Sequence, residues 1–90
     1  MISYTEHALM RMQQYGISRE EVERVLRNPS HLFFDLQSGR YVAVGSKNGH
    51  DLVVVYEKVG DGKIVVTTYH TSKFDKIRTA KLTSGRWVEL

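Results

Sequence analysis

Ninety residues give enough chain for one domain with a modest core, because a chain of this size buries only about 60–65% of its unfolded surface. We therefore expect residues 1–90 to form a single domain. The composition, 41% hydrophobic and 26% charged, is typical of a soluble globular protein. No apolar run approaches the roughly 18 residues that span a bilayer and no signal-peptide pattern opens the chain, so no membrane partner is expected.

The absence of cysteine excludes disulfides, thiolate chemistry and cysteine-based zinc sites. It agrees with a reducing compartment, and we expect the protein to be cytoplasmic. The four histidines are far apart and form neither an H-x-x-x-H nor an H-E-x-x-H motif, so no metal site is predicted. No glycine-rich phosphate loop is present, because Gly60-Asp61-Gly62 is better explained as a hairpin turn. The sequence therefore predicts no cofactor.

Positive charge is concentrated in the last third of the chain. The net charge is +3, and residues 63–90 carry six Lys or Arg against two acidic residues, so the whole excess lies there. Such a segment can attract the phosphate backbone of a nucleic acid. The alternative is a solvated basic tail without a partner.

Two short helices are predicted near the N-terminus. Thr5 is expected to cap the first helix, and Gly16 ends it with a left-handed residue. The apolar stripe of this helix consists of Ala8, Leu9, Met12 and Tyr15. Ser18 and Glu21 form a capping box for the second helix, which ends at Asn28-Pro29. The short connection between the two helices predicts a helical hairpin.

After Pro29 the sequence pattern changes from helical to extended. Four runs rich in β-branched and aromatic residues are predicted strands, at residues 31–36, 41–46, 52–58 and 64–70. The separators between them are short, which makes neighbouring strands antiparallel. Residues 53–55 and 64–66 are apolar on both faces of a strand, so we expect central strands that are covered on both sides.

Residues 72–90 are open to more than one interpretation. Ser72 is expected to cap a helix that runs to about Leu82, with Phe74 and Ile77 on its buried face. Residues 86–90 form either a final strand or a docked tail. The predicted fold class is α+β: an N-terminal helical hairpin packed on a four-stranded antiparallel sheet, with a C-terminal helix or tail.

His7 and Arg11 are the first candidate site residues. They are four residues apart, so they lie on one face of the predicted helix. A neutral imidazole is suited to general base catalysis, and a guanidinium binds phosphate in a bidentate manner. The alternative is a polar border of the helix, held by local hydrogen bonds.

The second candidate is the end of the last long strand, residues 67–73. Alternation places Thr68 and His70 on one face, with Tyr69 on the other, and Lys73 follows. A strand that changes from apolar to hydroxyl- and imidazole-bearing residues suits the edge of a site. It is also how many strands leave a core. His31 and His50 are weaker candidates, at a strand start and in a turn.

Several of these motifs together resemble a small prokaryotic domain family of unknown function. They are His7-Ala8-x-x-Arg11-Met12, Gly16-Ile17-Ser18, Asn28-Pro29, Leu52-Val53-Val54-Val55-Tyr56 and Ile64-Val65-Val66-Thr67-Thr68-Tyr69. The resemblance covers about residues 4–72. Where the family pattern has a second basic residue before the Gly-Ile pair, this sequence has Tyr15. In its order of elements the family is similar to BrnT- and RelE-type toxins, which are metal-independent ribonucleases of toxin–antitoxin systems.

The resemblance implies a toxin-like, metal-independent endoribonuclease that cleaves RNA by general acid–base catalysis and has an antitoxin partner. His7 is then the base or acid, Arg11 the phosphate clamp, and His70 or Tyr69 the complementary group. The residues expected to hold the RNA are Lys47, Lys73, Lys76 and Arg78. The alternative is a non-enzymatic RNA- or protein-binding module, in which Tyr15 and Trp87 are interface anchors. A third possibility is a homodimer formed through a Val- and Ile-rich sheet edge or the Trp87 tail.

Overall fold

The computed structural model describes residues 1–90, in three helices and six strands. In chain order the elements are β1 (Ile2–Tyr4), α1 (Glu6–Tyr15), α2 (Arg19–Arg27), β2 (His31–Asp35), β3 (Arg40–Lys47), β4 (His50–Val59), β5 (Gly62–Thr71), α3 (Phe74–Thr83) and β6 (Trp87–Glu89). The α+β class is confirmed. None of the three helices has the length and apolar content required to cross a lipid bilayer.

The six strands form one mixed sheet in the order β1-β5-β4-β3-β2-β6. Its four central strands are those predicted from the sequence, and they are antiparallel. The expectation of four strands is wrong, because each edge carries one more: β1 was not expected, whereas β6 is the final strand that was one of two alternatives for residues 86–90. β1 pairs in parallel with residues 63–65 of β5, and β6 pairs antiparallel with residues 33–35 of β2. Both added strands have three residues, too few to show an alternating pattern.

The N-terminal helical hairpin forms as its capping residues predict. The Thr5 hydroxyl accepts a hydrogen bond from the backbone N–H of Ala8, and Gly16 ends α1 with φ of 65°. Ser18 and Glu21 form both hydrogen bonds of the capping box of α2. Leu9, which the periodicity places on the buried stripe, is instead 40% exposed, because only the narrow line through Ala8 and Met12 reaches the sheet.

Each face of the sheet is covered by helices. On one side, the hairpin face, α1 and α2 pack over a buried cluster that contains Ala8, Met12, Ile17, Val22, Val25, Ala43, Leu52, Val54, Tyr56 and Val65. On the other side, the α3 face, Phe74 of α3 packs with Phe33, Val42, Val44, Val53 and Trp87. The predicted two-sided cover of the central strands is therefore confirmed.

The C-terminal segment forms a helix and then a strand. Lys73, not Ser72, is the N-cap of α3, and it makes no side-chain capping bond. The Thr71 hydroxyl accepts a hydrogen bond from the Lys73 backbone N–H, so the chain turns one residue later than expected. Trp87 is buried against Phe33 in the α3-face cluster, with ring centroids 5.0 Å apart. It is therefore a core residue, and its buried ring is not available as an interface anchor.

A β-bulge shifts the faces of β5 in its middle. Tyr56 of β4 pairs with Val65, whereas Val55 pairs with Thr67, so Val66 is an extra residue. Before the bulge, Val65 points to the hairpin face. After the bulge, Thr68 and His70 point to that face, because their register partners are Val54 and Leu52 of the hairpin-face cluster. This shift determines which side chains of β5 face α1.

Candidate functional site

A cleft of about 430 Å³ lies between α1 and the outer edge of β5. It is lined by His7, Arg11, Tyr15, Thr67, Tyr69 and His70. All four residues predicted to be catalytic, two from the helix and two from the strand, therefore border one cleft. The two pairs are 58 to 63 residues apart in sequence, and the packing of α1 on β5 brings them together.

On the helix side the cleft is lined by a row of side chains at four-residue spacing. Arg11 is central in this row: its Nε lies 3.5 Å from His7 Nε2, and its Nη1 lies 3.3 Å from the Tyr15 hydroxyl. Nη1 also lies 3.4 Å from Gln14 Oε1. These hydrogen bonds are long and solvent-exposed, so each is weak. The guanidinium can exchange them for the oxygens of a bound phosphate.

The strand side of the cleft exists because β1 ends early. β1 pairs only with residues 63–65 of β5, and the chain then turns away into α1 at Thr5, whose hydroxyl donates to the Val66 carbonyl. Beyond that point β5 has no strand neighbour on this side. The uncovered edge from Thr67 to His70 thus becomes one wall of the cleft.

His70 is the strand residue with the clearest unmet hydrogen-bonding capacity. Its Nε2 is shielded from solvent and has no hydrogen-bond partner in the protein. A shielded polar atom without a partner costs about 1–3 kcal/mol of folding free energy, and such atoms are rare in folded proteins. The side chain lies on the hairpin face, the side of the sheet on which α1 packs.

Tyr69 lines the cleft, but its side chain is oriented differently from that of His70. It is the register partner of Val53 and packs against the cluster on the α3 face. Burial raises the pKa of the Tyr69 hydroxyl above its ordinary value. A phenol that is buried on the far side of the sheet is poorly placed to exchange protons in the cleft.

Two of the predicted RNA-binding cations lie on the opposite face from α1. Lys76 and Arg78 belong to α3, and Arg78 Nη2 donates to Glu89 Oε1 at 3.2 Å. Lys73 is exposed at the junction between β5 and α3, three residues after His70. Among the predicted cations of this segment, Lys73 is the closest in sequence to the cleft.

The fourth predicted cation, Lys47, is engaged elsewhere. It forms an ion pair with Glu21 of α2, and this hydrogen bond lowers the pKa of the Glu21 carboxyl below its ordinary value. Both residues border a separate cavity of about 160 Å³ between α2 and β3. The structure therefore does not place Lys47 at the His7–His70 cleft.

The remaining histidines lie outside the cleft. His31 begins β2 and contacts Glu89 Oε2 at 3.3 Å, and His50 is exposed at the start of β4. No three His, Asp or Glu side chains converge on a point where they would hold one metal ion.

Two residues of the cleft, Tyr15 and Thr67, have no catalytic or RNA-binding role in the predictions from sequence. The sequence singles out Tyr15 as the departure from the family's basic pattern and as an interface anchor of the alternative module, whereas the structure shows its hydroxyl bonded to Arg11. Thr67 begins the candidate segment 67–73 but has no predicted role of its own. Its place on the open edge follows from the end of β1, for which the sequence offers no short-range signal.

Residues 4–70 match the family model of a domain of unknown function, DUF4258. The chain belongs to the DUF4258 family. The matched segment includes all six residues that line the cleft, whereas α3 and β6 lie outside it. No curated protein and no solved structure matches the chain significantly.

Proposed function

We propose that this DUF4258 protein is a toxin-like, metal-independent endoribonuclease that cleaves RNA in the cleft between α1 and β5. The observation that carries the proposal is the meeting of two imidazoles and a guanidinium, from His7, His70 and Arg11, at one open cleft. RNA cleavage without a metal requires a base for the ribose 2′-hydroxyl, an acid for the leaving 5′-oxygen and a cation for the phosphorane. The cleft offers one residue for each role.

His7 is the general base in this proposal. Its Nε2 lies 3.5 Å from Arg11 Nε, so the imidazole stands beside the guanidinium that would bind the phosphate. The exposed imidazole then takes the proton of the 2′-hydroxyl as the oxygen attacks phosphorus. The P–O5′ bond breaks, and the products are a 2′,3′-cyclic phosphate and a 5′-hydroxyl.

His70 is the complementary acid, in preference to Tyr69. Its side chain lies on the α1 side of the sheet and its Nε2 has no protein partner, whereas the Tyr69 side chain packs on the opposite face. In the proposed step the His70 ring turns so that its shielded Nε2 faces the cleft, and the protonated imidazole donates to the leaving 5′-oxygen. Arg11 binds the two non-bridging phosphate oxygens and stabilises the charge that develops on them.

The biological context proposed is a toxin–antitoxin system. This step rests on the similarity in element order to BrnT- and RelE-type toxins, and the partner would be an antitoxin protein that blocks the cleft. Expression of the wild-type chain without a partner should arrest bacterial growth. The His7→Ala variant should relieve the arrest at equal protein level.

The test of the cleft is cleavage of RNA in EDTA by purified single variants. His7→Ala and His70→Gln should each lower the rate by roughly 10²- to 10⁴-fold, the usual contribution of a general acid or base. Arg11→Lys should also lower the rate, because an ammonium cannot replace a planar bidentate clamp. His50→Ala is the matched control, since it removes an exposed imidazole outside the cleft and should retain the wild-type rate.

Two results would argue against the proposal. Wild-type rates in both histidine variants would show that the cleft is not the site of cleavage. Binding of RNA without cleavage, weakening as salt rises, would instead identify a binding module.

A further inference from the structure

A row of aromatic side chains crosses the hairpin face of the sheet, at the end where β2 turns into β3 and β4 into β5. Phe34 on β2, Tyr41 on β3 and Tyr56 on β4 are successive register partners, and we call them the aromatic row. The Phe34 and Tyr41 ring centroids are 5.0 Å apart, and those of Tyr41 and Tyr56 are 5.5 Å apart with nearly parallel planes. The fold thus fixes three rings side by side on one surface.

The outer part of the aromatic row is open. Tyr56 is buried beneath the helical hairpin, whereas Phe34 and Tyr41 are only partly buried. Val88 of β6, the register partner of Phe34, extends the surface and is 40% exposed. Two apolar rings are therefore held in place by the sheet and remain accessible from outside.

Positive charge borders the row on the same face. Lys58 Nζ lies 4.5 Å from the Tyr41 ring centroid, and Lys63 Nζ lies 5.9 Å from that of Tyr56. The neighbouring acidic side chains, Asp35 and Glu57, point away from the row, because alternation along their strands places them on the α3 face. There Glu57 is paired with Arg40 at 3.0 Å. Aromatic surface bordered by unpaired lysines is complementary to stacked bases and a phosphate backbone.

We propose that the aromatic row is a binding surface for single-stranded RNA, on which bases stack over Tyr41 and Phe34 while Lys58 and Lys63 contact phosphates. The proposal rests on the proposed function in that the bound strand is the RNA that enters the cleft. Lys58 covers the Tyr41 ring in the unbound protein. A cation–π contact of an exposed lysine is weak, so the ammonium moves to a phosphate when a base takes its place.

The inner end of the row lies one strand away from the strand that borders the cleft. Tyr56 is the register partner of Val65, and Thr67 of the cleft follows two residues later on the same strand. Tyr56 itself is covered by the helical hairpin, so an RNA strand bound in the cleft would reach the open rings of Tyr41 and Phe34 around the outside of the hairpin. The row supplies stacking contacts to bases. The cleft offers few such contacts, because the side chains of α1 that line it are polar or charged.

The test is the affinity for a short, fluorescein-labelled 2′-O-methyl oligoadenylate, measured by fluorescence anisotropy. This probe has no free 2′-hydroxyl, so binding is measured without cleavage. Phe34→Leu and Tyr41→Leu should each weaken binding roughly 10-fold, because one stacking contact is lost. Lys58→Gln should weaken it several-fold and reduce its dependence on salt concentration. Lys81→Gln, which removes a lysine of α3 on the opposite face, is the matched control and should bind as tightly as the wild type.

The outcomes separate this proposal from the nuclease itself. Wild-type affinity in Phe34→Leu and Lys58→Gln, with folding confirmed by circular dichroism, would overturn the RNA surface even if the protein cleaves RNA. Loss of binding in these variants would support the proposal that the aromatic row binds RNA, even if no cleavage is ever detected. A wild-type dimer that Phe34→Leu converts to a monomer, at unchanged affinity for the probe, would show that the row binds a second copy and would also overturn the proposal.

Discussion

The hydroxyl of Tyr15 accepts a hydrogen bond from Arg11 Nη1 across one helical turn, at 3.3 Å. Tyr15 is thus connected to the guanidinium of the cleft. Its ring also lies beneath that guanidinium, with Arg11 Cζ 5.9 Å from the ring centroid. Tyr15 therefore holds Arg11 at the cleft without adding a charge.

The first prediction concerns that hydroxyl. Tyr15→Phe should change the free energy of unfolding by less than about 0.5 kcal/mol, because the bond lies on the surface. It should lower kcat/KM for RNA roughly fivefold, since a hydrogen bond worth about 1 kcal/mol no longer orients Arg11. Tyr15→Arg, which restores a basic side chain, should tighten RNA binding. Unchanged kinetics in Tyr15→Phe would show that Arg11 does not depend on Tyr15.

A second prediction concerns the approach of α2 to the sheet. A Cβ atom at Gly45 of β3 would lie 2.8 Å from Cγ2 of Val25, closer than two carbon atoms can come without a shift. Gly45→Ala should therefore lower the free energy of unfolding by about 1–3 kcal/mol, as overpacking does. Urea denaturation measures this, and Ser46→Ala at the next, exposed position is the control.

A double variant checks the cause of that effect. In a Val25→Ala background the obstructing methyl groups are gone, so adding Gly45→Ala should cost little more. Equal costs in the two backgrounds would mean that the contact with Val25 is not the reason for the glycine.

A third prediction concerns Asp35, which joins the end of β2 to the C-terminal segment. Its carboxylate accepts hydrogen bonds from the backbone amides of Gln37 and Ser38, and Arg86 Nε lies 3.2 Å from Oδ2. Burial by itself raises the pKa of Asp35. The two backbone amides and the Arg86 guanidinium outweigh burial and hold the pKa below its ordinary value.

The direction of the pH dependence follows from that shift. A carboxyl whose pKa is lower in the folded state stabilises the protein at all pH values above the unfolded pKa, which is about 3.9 for Asp. That stabilisation should be lost as the pH falls from about 5 through the lowered pKa of the folded state. Asp35→Asn should make urea midpoints less sensitive to acid over this range. Asp61→Asn, in the exposed β4–β5 turn, should leave the wild-type acid dependence in place.

A fourth prediction concerns the C-terminal strand. Trp87 is buried between Phe33 and Phe74, with ring centroids 5.0 and 6.3 Å away. Trp87→Ala should cost about 3–5 kcal/mol, the usual loss for a buried aromatic side chain. Unfolding should be monitored by circular dichroism, because the variant lacks the only tryptophan and so has no tryptophan fluorescence. Leu90→Ala, at an exposed position, should have little effect.

The parts of the fold that could be predicted are those encoded by local chemistry. Thr5, Gly16 and the Ser18–Glu21 capping box define the helical hairpin through bonds within a few residues. The four central strands are long enough for their composition to identify them. β1 and β6 have three residues each, and their pairing with β5 and β2 depends on partners far away in the chain.

The candidate site was predicted in part, for a related reason. The spacing of His7 and Arg11 is a helical property, and both residues line the cleft. The bulge at Val66 and the early end of β1 determine what the strand side presents, and neither follows from alternation. Tyr69 illustrates the difference, because it borders the cleft while its ring packs on the α3 face.

The measurement that tests the central proposal most directly is the chemistry of the RNA ends produced by the wild-type protein in EDTA. Attack by the 2′-hydroxyl, with His7 as base and His70 as acid, predicts fragments with a 2′,3′-cyclic phosphate and a 5′-hydroxyl. An RNA with a single 2′-deoxy nucleotide at the cleavage position should remain intact there. Intact wild-type substrate, or fragments with a 3′-hydroxyl and a 5′-phosphate, would contradict the proposed mechanism.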